Sequence, residues 1–433
     1  MPKTKQAPGL NLRLVAADRL QSVLKGASFS PLFASEIADP RDRALANKLI
    51  TTALRYHGPL GLLCGELLER GLPKKSGRFE GVLMLSLGQL LFLPELGDHS
   101  AIFLAGEAMR ADQKTQHLLK LMNGVLREAQ RRRDTIVVNA ETLFPPTLLK
   151  TWRRVYGAPA VEAFGTALIE GAPLDITLKA DAPAMLEALG GRMLLADTAR
   201  IDVRDRPVDQ LQGYAEGRFW VQDAAAAIPA RLFGLNPGAR VLDIGAAPGG
   251  KTAQLIKAGY AVTALDRDPG RIDRLRDNLK RLAYTADIVT ADALDYGAAI
   301  PFDGVLLDAP CSATGTLRRH PEVVWHRSAA DIAGRVTVQR QLLERAALCL
   351  NPGGVLIYCV CSLEPQEGEE QARWAISQGL QPFPITVEEL DGWAEPVTKD
   401  GFVRTHPAMT VPGEKGGTLD GFFVARFRRS QLL

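Results

Sequence analysis

Apolar residues recur every three or four positions through the first third of the chain, and gather into short solid runs through its second half. Leu10, Leu14, Ala17, Leu20 and Leu24 share one helical face. Asp39-Pro40 supplies an N-cap followed by proline at the first helical position, and Leu45, Leu49, Ala53 and Tyr56 carry the stripe on to a stop at Gly58-Pro59. Two more apolar patterns predict helices, Val82 to Leu93 and Leu118 through Met122, Val125, Leu126 and Ala129, and the second runs into Arg127, Arg131, Arg132 and Arg133. Residues 1–139 therefore read as an all-α domain. From there to residue 217 the texture is mixed, with Pro145-Pro146, a short helix over Thr147–Tyr156, and alternating stretches at Leu174–Leu178 and Met193–Ala196. This segment, 140–217, reads as a small α/β insert. Over 218–433 strand runs alternate with helical patterns: Arg240–Ile244, Tyr260–Leu265, Asp287–Thr290, Gly304–Leu307, Val355–Tyr358 and Phe422–Phe427. That alternation predicts a largely parallel sheet covered by helices on both faces, with ligands at the carboxyl ends of the strands.

Composition narrows the class. With 433 residues, 46% hydrophobic, 23% charged and five cysteines, the chain is no disulfide scaffold, collagen or disordered polymer. Its longest greasy stretch, Leu83–Leu96, is broken by Ser86, Gly88, Gln89 and Pro94, and Met1–Arg13 has no apolar run behind its lysines. Neither is a membrane span or a signal peptide, so a reducing cytoplasm is expected. The net charge of +3 is unevenly spread. Residues 1–139 hold 20 basic and 13 acidic side chains, net +7, and the remainder is net −4. A basic front suits a polyanion, although arginines in a last helical turn also suit the helix dipole without any ligand.

Three motifs fall at predicted strand ends. In Val241–Thr252, VLDIGAAPGGKT, a buried strand leads through a glycine-rich turn into a helix beginning near Lys251. Gly245, Gly249 and Gly250 let backbone approach a ligand closely, and the helix N-terminus behind them favours a carboxylate or phosphate. The spacing also permits a nucleotide-triphosphate loop, although Pro248 and Gly249 stand inside it. Asp266 ends the next strand, 21 residues after Gly245, where a carboxylate can take both ribose hydroxyls or merely cap the following helix. Asp292, after the third strand, can border an adenine in the same way. The second motif, LLDAPCSATGTLRRHPE (Leu306–Glu322), sets Asp308 and Cys311 three residues apart just past a strand. The third, YCVCSLEPQEGEE (Tyr358–Glu370), places Cys359 and Cys361 at another strand end, on one face if the strand continues that far. Cysteines with His320 or His326 make a poor metal set at this irregular spacing, and none is expected. The two histidines lie beside Arg318, Arg319 and Arg327, which suggests a basic loop more than proton carriers.

DAPCSATGTLRRHPE, the Cys-Ser of the third motif, AAPGGKT and the closing DGFFVARF resemble the RsmB/NOP/NSUN family of S-adenosylmethionine-dependent RNA cytosine-5 methyltransferases. DPRDRALANKL in the front resembles the NusB-type RNA-binding domain carried by the bacterial branch that acts on small-subunit ribosomal RNA. The resemblance implies a Rossmann-like class I methyltransferase domain behind an all-α NusB-like domain and a small α/β insert. It further implies that Gly245, Ala246, Ala247, Pro248, Gly249, Gly250, Lys251, Asp266, Asp292 and Asp308 surround S-adenosylmethionine and the reacting base, that Cys361 is the nucleophile, and that Cys311 helps to release the product. Carbon 5 of cytosine is too weak a nucleophile to be methylated directly, and a thiolate adding to carbon 6 activates it. Asp308 would stabilise the charge building at ring nitrogen 3, and Lys251 would favour the thiolate, or simply cap its helix. The chain departs from the family pattern at Gly245, where cysteine is usual, at Val360, where threonine is usual, and at Thr177–Ala180, where the insert strand normally reads leucine-arginine-valine-asparagine. DNA-type enzymes of this chemistry take their nucleophile from the Pro-Cys motif, here Cys311. A monomer that binds RNA and no membrane is expected. The alternative is a ribosome-assembly factor that binds RNA and keeps the fold without turnover.

Overall fold

The computed structural model describes residues 7–74, 76–201, 207–412, 414 and 419–430. The first six and last three residues of the expected first and last domains lie outside the described residues. The chain divides into two compact units, Met1–Glu170 with Leu317–His326, and Gly171–Thr316 with Arg327–Leu433.

The first unit is helical. Asp39 caps its second helix as expected, its carboxylate accepting the Arg41 and Asp42 N–H groups at 2.9 Å. That helix ends at Arg55, but Gly58-Pro59 does not stop the chain. It opens a further helix, His57–Leu67, that the sequence did not reveal. Pro59 is tolerated because it falls in a first turn, where its missing N–H would have had no partner. Gly58 is needed for close approach: a Cβ there would meet the Thr142 carbonyl oxygen at 1.9 Å and the Trp325 ring at 2.8 Å. The apolar run near Leu83 becomes a helix, Phe79–Phe92, buried on nearly every side, which is why it lacks a polar stripe. A helix over Asp98–Arg110 was also unforeseen. Met122, Val125, Leu126 and Ala129 are buried as their spacing predicted. The arginines behind them are drawn into the unit itself: Arg131 and Arg132 pair with Glu128, and Arg133 reaches Asp98 and the Leu90 carbonyl, both at 2.6 Å. The helical unit continues to Glu170 through Ala140–Leu143, Pro146–Tyr156 and Ala158–Glu170. Trp152 packs between Phe144 and Phe164, with ring centroids 5.1 and 5.8 Å away. The textural break at residue 139 is therefore a helix cap, Asn139 with Thr142, within one compact unit.

The second unit begins with a four-stranded antiparallel sheet of β1 (Leu174–Leu178), β2 (Arg192–Leu195), β3 (Thr198–Ile201) and β4 (Phe219–Val221), in the order β2-β3-β1-β4. Behind it lies the larger sheet: β5 (Arg240–Ile244), β6 (Ala261–Asp266), β7 (Asp287–Thr290), β8 (Phe302–Asp308), β9 (Leu350–Val360), β10 (Gln381–Pro382), β11 (Val403–Thr405) and β12 (Phe422–Arg428). Its order is β10-β12-β9-β8-β5-β6-β7, with β11 against β12. Strands β5 to β9 run parallel and β12 antiparallel to β9. Alternate residues feed two apolar layers. Val241, Leu306, Ile357 and Val424 enter one, and Leu242, Leu307, Leu356 and Phe423 the other. Because the chain leaves β5 for β6 on one side and later returns to β8 on the other, a crevice opens at the β5 and β8 carboxyl ends. Among the described residues no helix is long and apolar enough to cross a membrane, and no group of three metal-binding side chains comes together.

Candidate active site

The register of the larger sheet builds the site. Asp308, last residue of β8, pairs with Cys359 of β9, and the Ala309 N–H donates to the Cys359 carbonyl at 3.0 Å. The cysteine motifs thus leave adjacent strand ends side by side. Strand β9 stops at Val360, and the Cys361 sulfur lies 3.5 Å from that of Cys311. The neighbouring thiols differ in access: Cys359 is fully buried, Cys311 nearly so, and Cys361 is partly exposed. Cys359, for which no role is expected from sequence, directs its thiol at Asp308 Oδ1, 3.6 Å away.

Lys251 arrives from the opposite side, in the first turn of the helix Gly250–Lys257 that follows β5. Its Nζ donates to Asp308 Oδ2 at 2.8 Å and lies 5.2 Å from the centre of the Phe422 ring. Burial pulls the Lys251 ammonium down, but Asp308 and the Cys359 and Cys361 sulfurs outweigh it and hold its pKa above the ordinary lysine value. Lys251 therefore links the helix after β5 to the end of β8. Cys311 is pushed well above the ordinary thiol range, first by its hydrogen bond with Cys361 and then by burial. Cys359 is raised as well, by burial and then by the Asp308 charge.

The glycine turn lies beside this pair of strand ends. Gly245 has φ +78°, and a Cβ on it would meet the Asp308 carbonyl oxygen at 2.5 Å, so with glycine here the β5 turn and the β8 end come closer than a side chain would allow without a shift. The Gly245 and Ala246 N–H groups both donate to the Leu265 carbonyl, which ties the start of the turn to the end of β6. Gly249, at φ +104°, precedes the helix. The turn is not a triphosphate loop. Thr252, whose hydroxyl would there serve a metal, is fully buried and donates to Asp243 at 2.6 Å.

Asp266 ends β6 and is buried. Its oxygens accept the Ala247 N–H at 3.3 Å and the Asp268 N–H at 3.1 Å, and Arg271 pairs with it at 3.2 Å. Asp292 follows β7 and accepts the Leu294 N–H at 2.9 Å. In this structure both carboxylates thus fasten turns at the crevice rim. His320 and His326 group with the helical unit, where His320 lies 3.5 Å from Glu322, and Arg318 is buried and not part of an open basic loop. The altered insert segment faces its own unit: Thr177 donates to Gln222 at 2.9 Å, and Lys179 to the Leu282 carbonyl with its Nζ over the Tyr284 ring.

Asp243, beneath the turn, is a residue the sequence did not single out beyond its strand. It is fully buried, Oδ1 has no partner among the described residues, and burial pushes its carboxyl up to about 7. A carboxyl raised in this way contributes stability that is complete below the ordinary carboxylate range and is lost as pH rises through about 7. Asp243→Asn, which keeps an acceptor for Thr252, is expected to flatten the fall in urea midpoint between pH 5 and 8. An identical slope in the variant would refute this assignment.

Comparison with known proteins gives concordant likenesses. Residues 230–428 match the family model for the 16S rRNA methyltransferase RsmB/F, and residues 10–131 match that of the NusB family. The chain is 36% identical over 441 residues to the ribosomal RNA small subunit methyltransferase B of Xanthomonas campestris pv. campestris, covering 97% of each. The solved structure of PH0851 covers 98% of this chain and all of its own, with a TM-score of 0.77 at 21% identity. A methyltransferase homolog protein from Pyrococcus horikoshii covers 66% of this chain and 95% of its own, with a TM-score of 0.56 at 24% identity. The two structural likenesses speak to the fold alone.

Proposed function

We propose that this chain, which belongs to the RsmB/F family of S-adenosylmethionine-dependent ribosomal RNA methyltransferases, methylates carbon 5 of a cytosine in small-subunit ribosomal RNA through a covalent adduct on Cys361. One observation carries the reading: a partly exposed thiol, Cys361, lies 3.5 Å from a buried thiol and within electrostatic reach of the ammonium of the Lys251–Asp308 pair. A nucleophile must be reached by its substrate and must be stabilised as the thiolate. Cys361 meets the first need by its exposure. The Lys251 ammonium lies within electrostatic reach of its sulfur, and Cys311, held protonated, can donate its S–H to it.

The residues present fit the cofactor. Gly245 and Gly249 take the positive φ that shapes the turn at the β5 carboxyl end, the helix behind them offers unpaired first-turn N–H groups to a carboxylate, and Asp266 ends the next strand while Asp292 follows the one after it. When bound there, S-adenosylmethionine supplies an electrophilic methyl group. Cys361 adds to carbon 6, forming a C–S bond and sending the double-bond electrons toward nitrogen 3, which takes up a proton relayed from Lys251 through its hydrogen-bond partner Asp308. Carbon 5 then takes the methyl group. The nitrogen 3 proton returns to the Lys251–Asp308 pair, the carbon 5 proton passes to solvent, and the ring double bond re-forms as the C–S bond breaks to release the Cys361 thiolate, to which the Cys311 S–H donates. The basic side chains of the helical unit supply the nonspecific attraction for RNA phosphates. Incubation of the full chain with S-adenosylmethionine and unmodified 16S RNA, followed by nucleoside mass spectrometry, is expected to yield 5-methylcytidine. Methyl groups found only on other nucleosides or on ribose would overturn the proposal.

A further inference from the structure

Glu367 is fully buried and lies in the turn within the third motif. Its carboxylate binds the residue that follows each cysteine of the proposed site. Oε1 accepts the Ser312 N–H at 2.9 Å and Gln339 Nε2 at 3.1 Å. Oε2 accepts the Ser312 hydroxyl at 2.5 Å and the Ser362 hydroxyl at 2.6 Å. The two hydroxyl oxygens lie 3.0 Å apart. The Glu367 carbonyl also takes the Tyr358 hydroxyl at 2.6 Å, tying the turn back to β9. From these contacts we infer that Glu367 is a positioning residue, a buried carboxylate clamp that sets the distance and orientation between the Cys311 and Cys361 thiols.

The physical case rests on the clamp's location. Ser312 and Ser362 each adjoin a cysteine in the chain, so the two turns cannot separate without breaking several buried hydrogen bonds. The Cys361 carbonyl accepts the Gly315 N–H at 3.1 Å, and Arg404 donates to the Ser362 carbonyl from the other side, so the backbone on either side of the clamp is also fixed. Val360, where the family has threonine, contributes no hydroxyl here. The Ser362 bond to Glu367 lies on the other side of Cys361 and supplies an anchor to that turn. A misplacement of about 1 Å costs a reacting pair roughly a hundred-fold in rate, which is the scale on which such a clamp acts.

The inference rests on the reading of Cys361 and Cys311 as the reacting pair, and its test has one arm independent of that reading. Full-length Glu367→Gln, Glu367→Ala and Ser362→Ala proteins are compared with wild type in steady-state methylation of 16S RNA. They are also compared in the rate at which diamide joins Cys311 to Cys361, followed by peptide mass mapping. Glu367→Gln, which can still accept the Ser312 N–H, is expected to lower kcat about ten-fold and Glu367→Ala about a hundred-fold, with KM within about two-fold of wild type. The diamide rate is expected to change in the same order among the variants. If Glu367→Ala does not fold, Glu367→Gln and Ser362→Ala decide the matter. Wild-type kcat and wild-type diamide rates in both would overturn the clamp, as would a kcat loss that merely follows the unfolded fraction. If Cys361→Ala still methylates RNA while the diamide rates change as stated, the nucleophile assignment fails and the clamp stands.

Discussion

Cys361→Ala is expected to lose methyl transfer by three orders of magnitude or more, on the order of what removal of a catalytic nucleophile costs, while its S-adenosylmethionine dissociation constant stays at the wild-type value. The separation of effects follows from placement. Cys361 lies past the end of β9, beyond the cofactor turn after β5, and no residue of Gly245–Lys251 hydrogen-bonds to it. Cys311→Ala should behave differently. It removes a buried thiol that Cys361 and its surroundings hold protonated, so addition to the base remains open to Cys361 while product release is impaired. A denaturing gel after incubation with S-adenosylmethionine and small-subunit ribosomal RNA is then expected to show a covalent RNA adduct for Cys311→Ala and none for Cys361→Ala. An adduct that requires Cys311 would reverse the two roles.

The candidate site was legible in the sequence to the extent that strand ends are. A buried run followed by Gly, Asp or Cys marks where a parallel sheet delivers its chemistry, so the positions of Gly245, Asp266, Asp308, Cys311 and Cys361 followed from periodicity and motif together. What periodicity does not encode is which neighbours meet across elements. The pairing of Asp308 with Cys359, and the meeting of Ser312, Ser362 and Glu367, depend on parallel register between β8 and β9, separated by some fifty residues. The doubled Cys-Ser was the one local sign of that meeting. In the helical unit the missed elements failed for a different reason. His57–Leu67 carries three glycines and a proline, each unfavourable in a free helix, and is stabilised by packing that local propensity does not report. Residues 140–170 looked like a new domain because Pro145-Pro146 interrupts the helical pattern, yet proline at a first helical position is only where the next helix begins.

Asp308→Asn is expected to be more damaging than Lys251→Met, although the two side chains form one ion pair. Both variants lose the electrostatics aimed at the reacting base, on the order of a hundred- to a thousand-fold in kcat. They differ in what each leaves behind. Lys251→Met leaves a carboxylate whose side chain is 27% exposed and still has the Cys359 thiol beside it, so water can take up much of the charge. Asp308→Asn leaves an ammonium that is only 12% exposed and has lost the partner that offset its burial. Stranding a buried charge costs about 3–5 kcal/mol, and the lower end applies to a pair with this much access to water. The pH dependence separates the cases further. In the wild type the Lys251 pKa lies above the ordinary lysine value, so the pair's contribution is complete through neutral pH and is lost only as alkaline pH passes through the folded value. Without Asp308, burial dominates and depresses the lysine, so the folded state then favours the neutral amine and gains stability as pH rises. The urea midpoint of Asp308→Asn, below that of wild type at pH 7, is therefore expected to rise from pH 7 to pH 9, and this rise should vanish in the Lys251→Met/Asp308→Asn double variant. A midpoint for Asp308→Asn that keeps the wild-type pH dependence would show that the Lys251 charge is solvated by something other than Asp308, and would remove the electrostatic argument for its role beside Cys361.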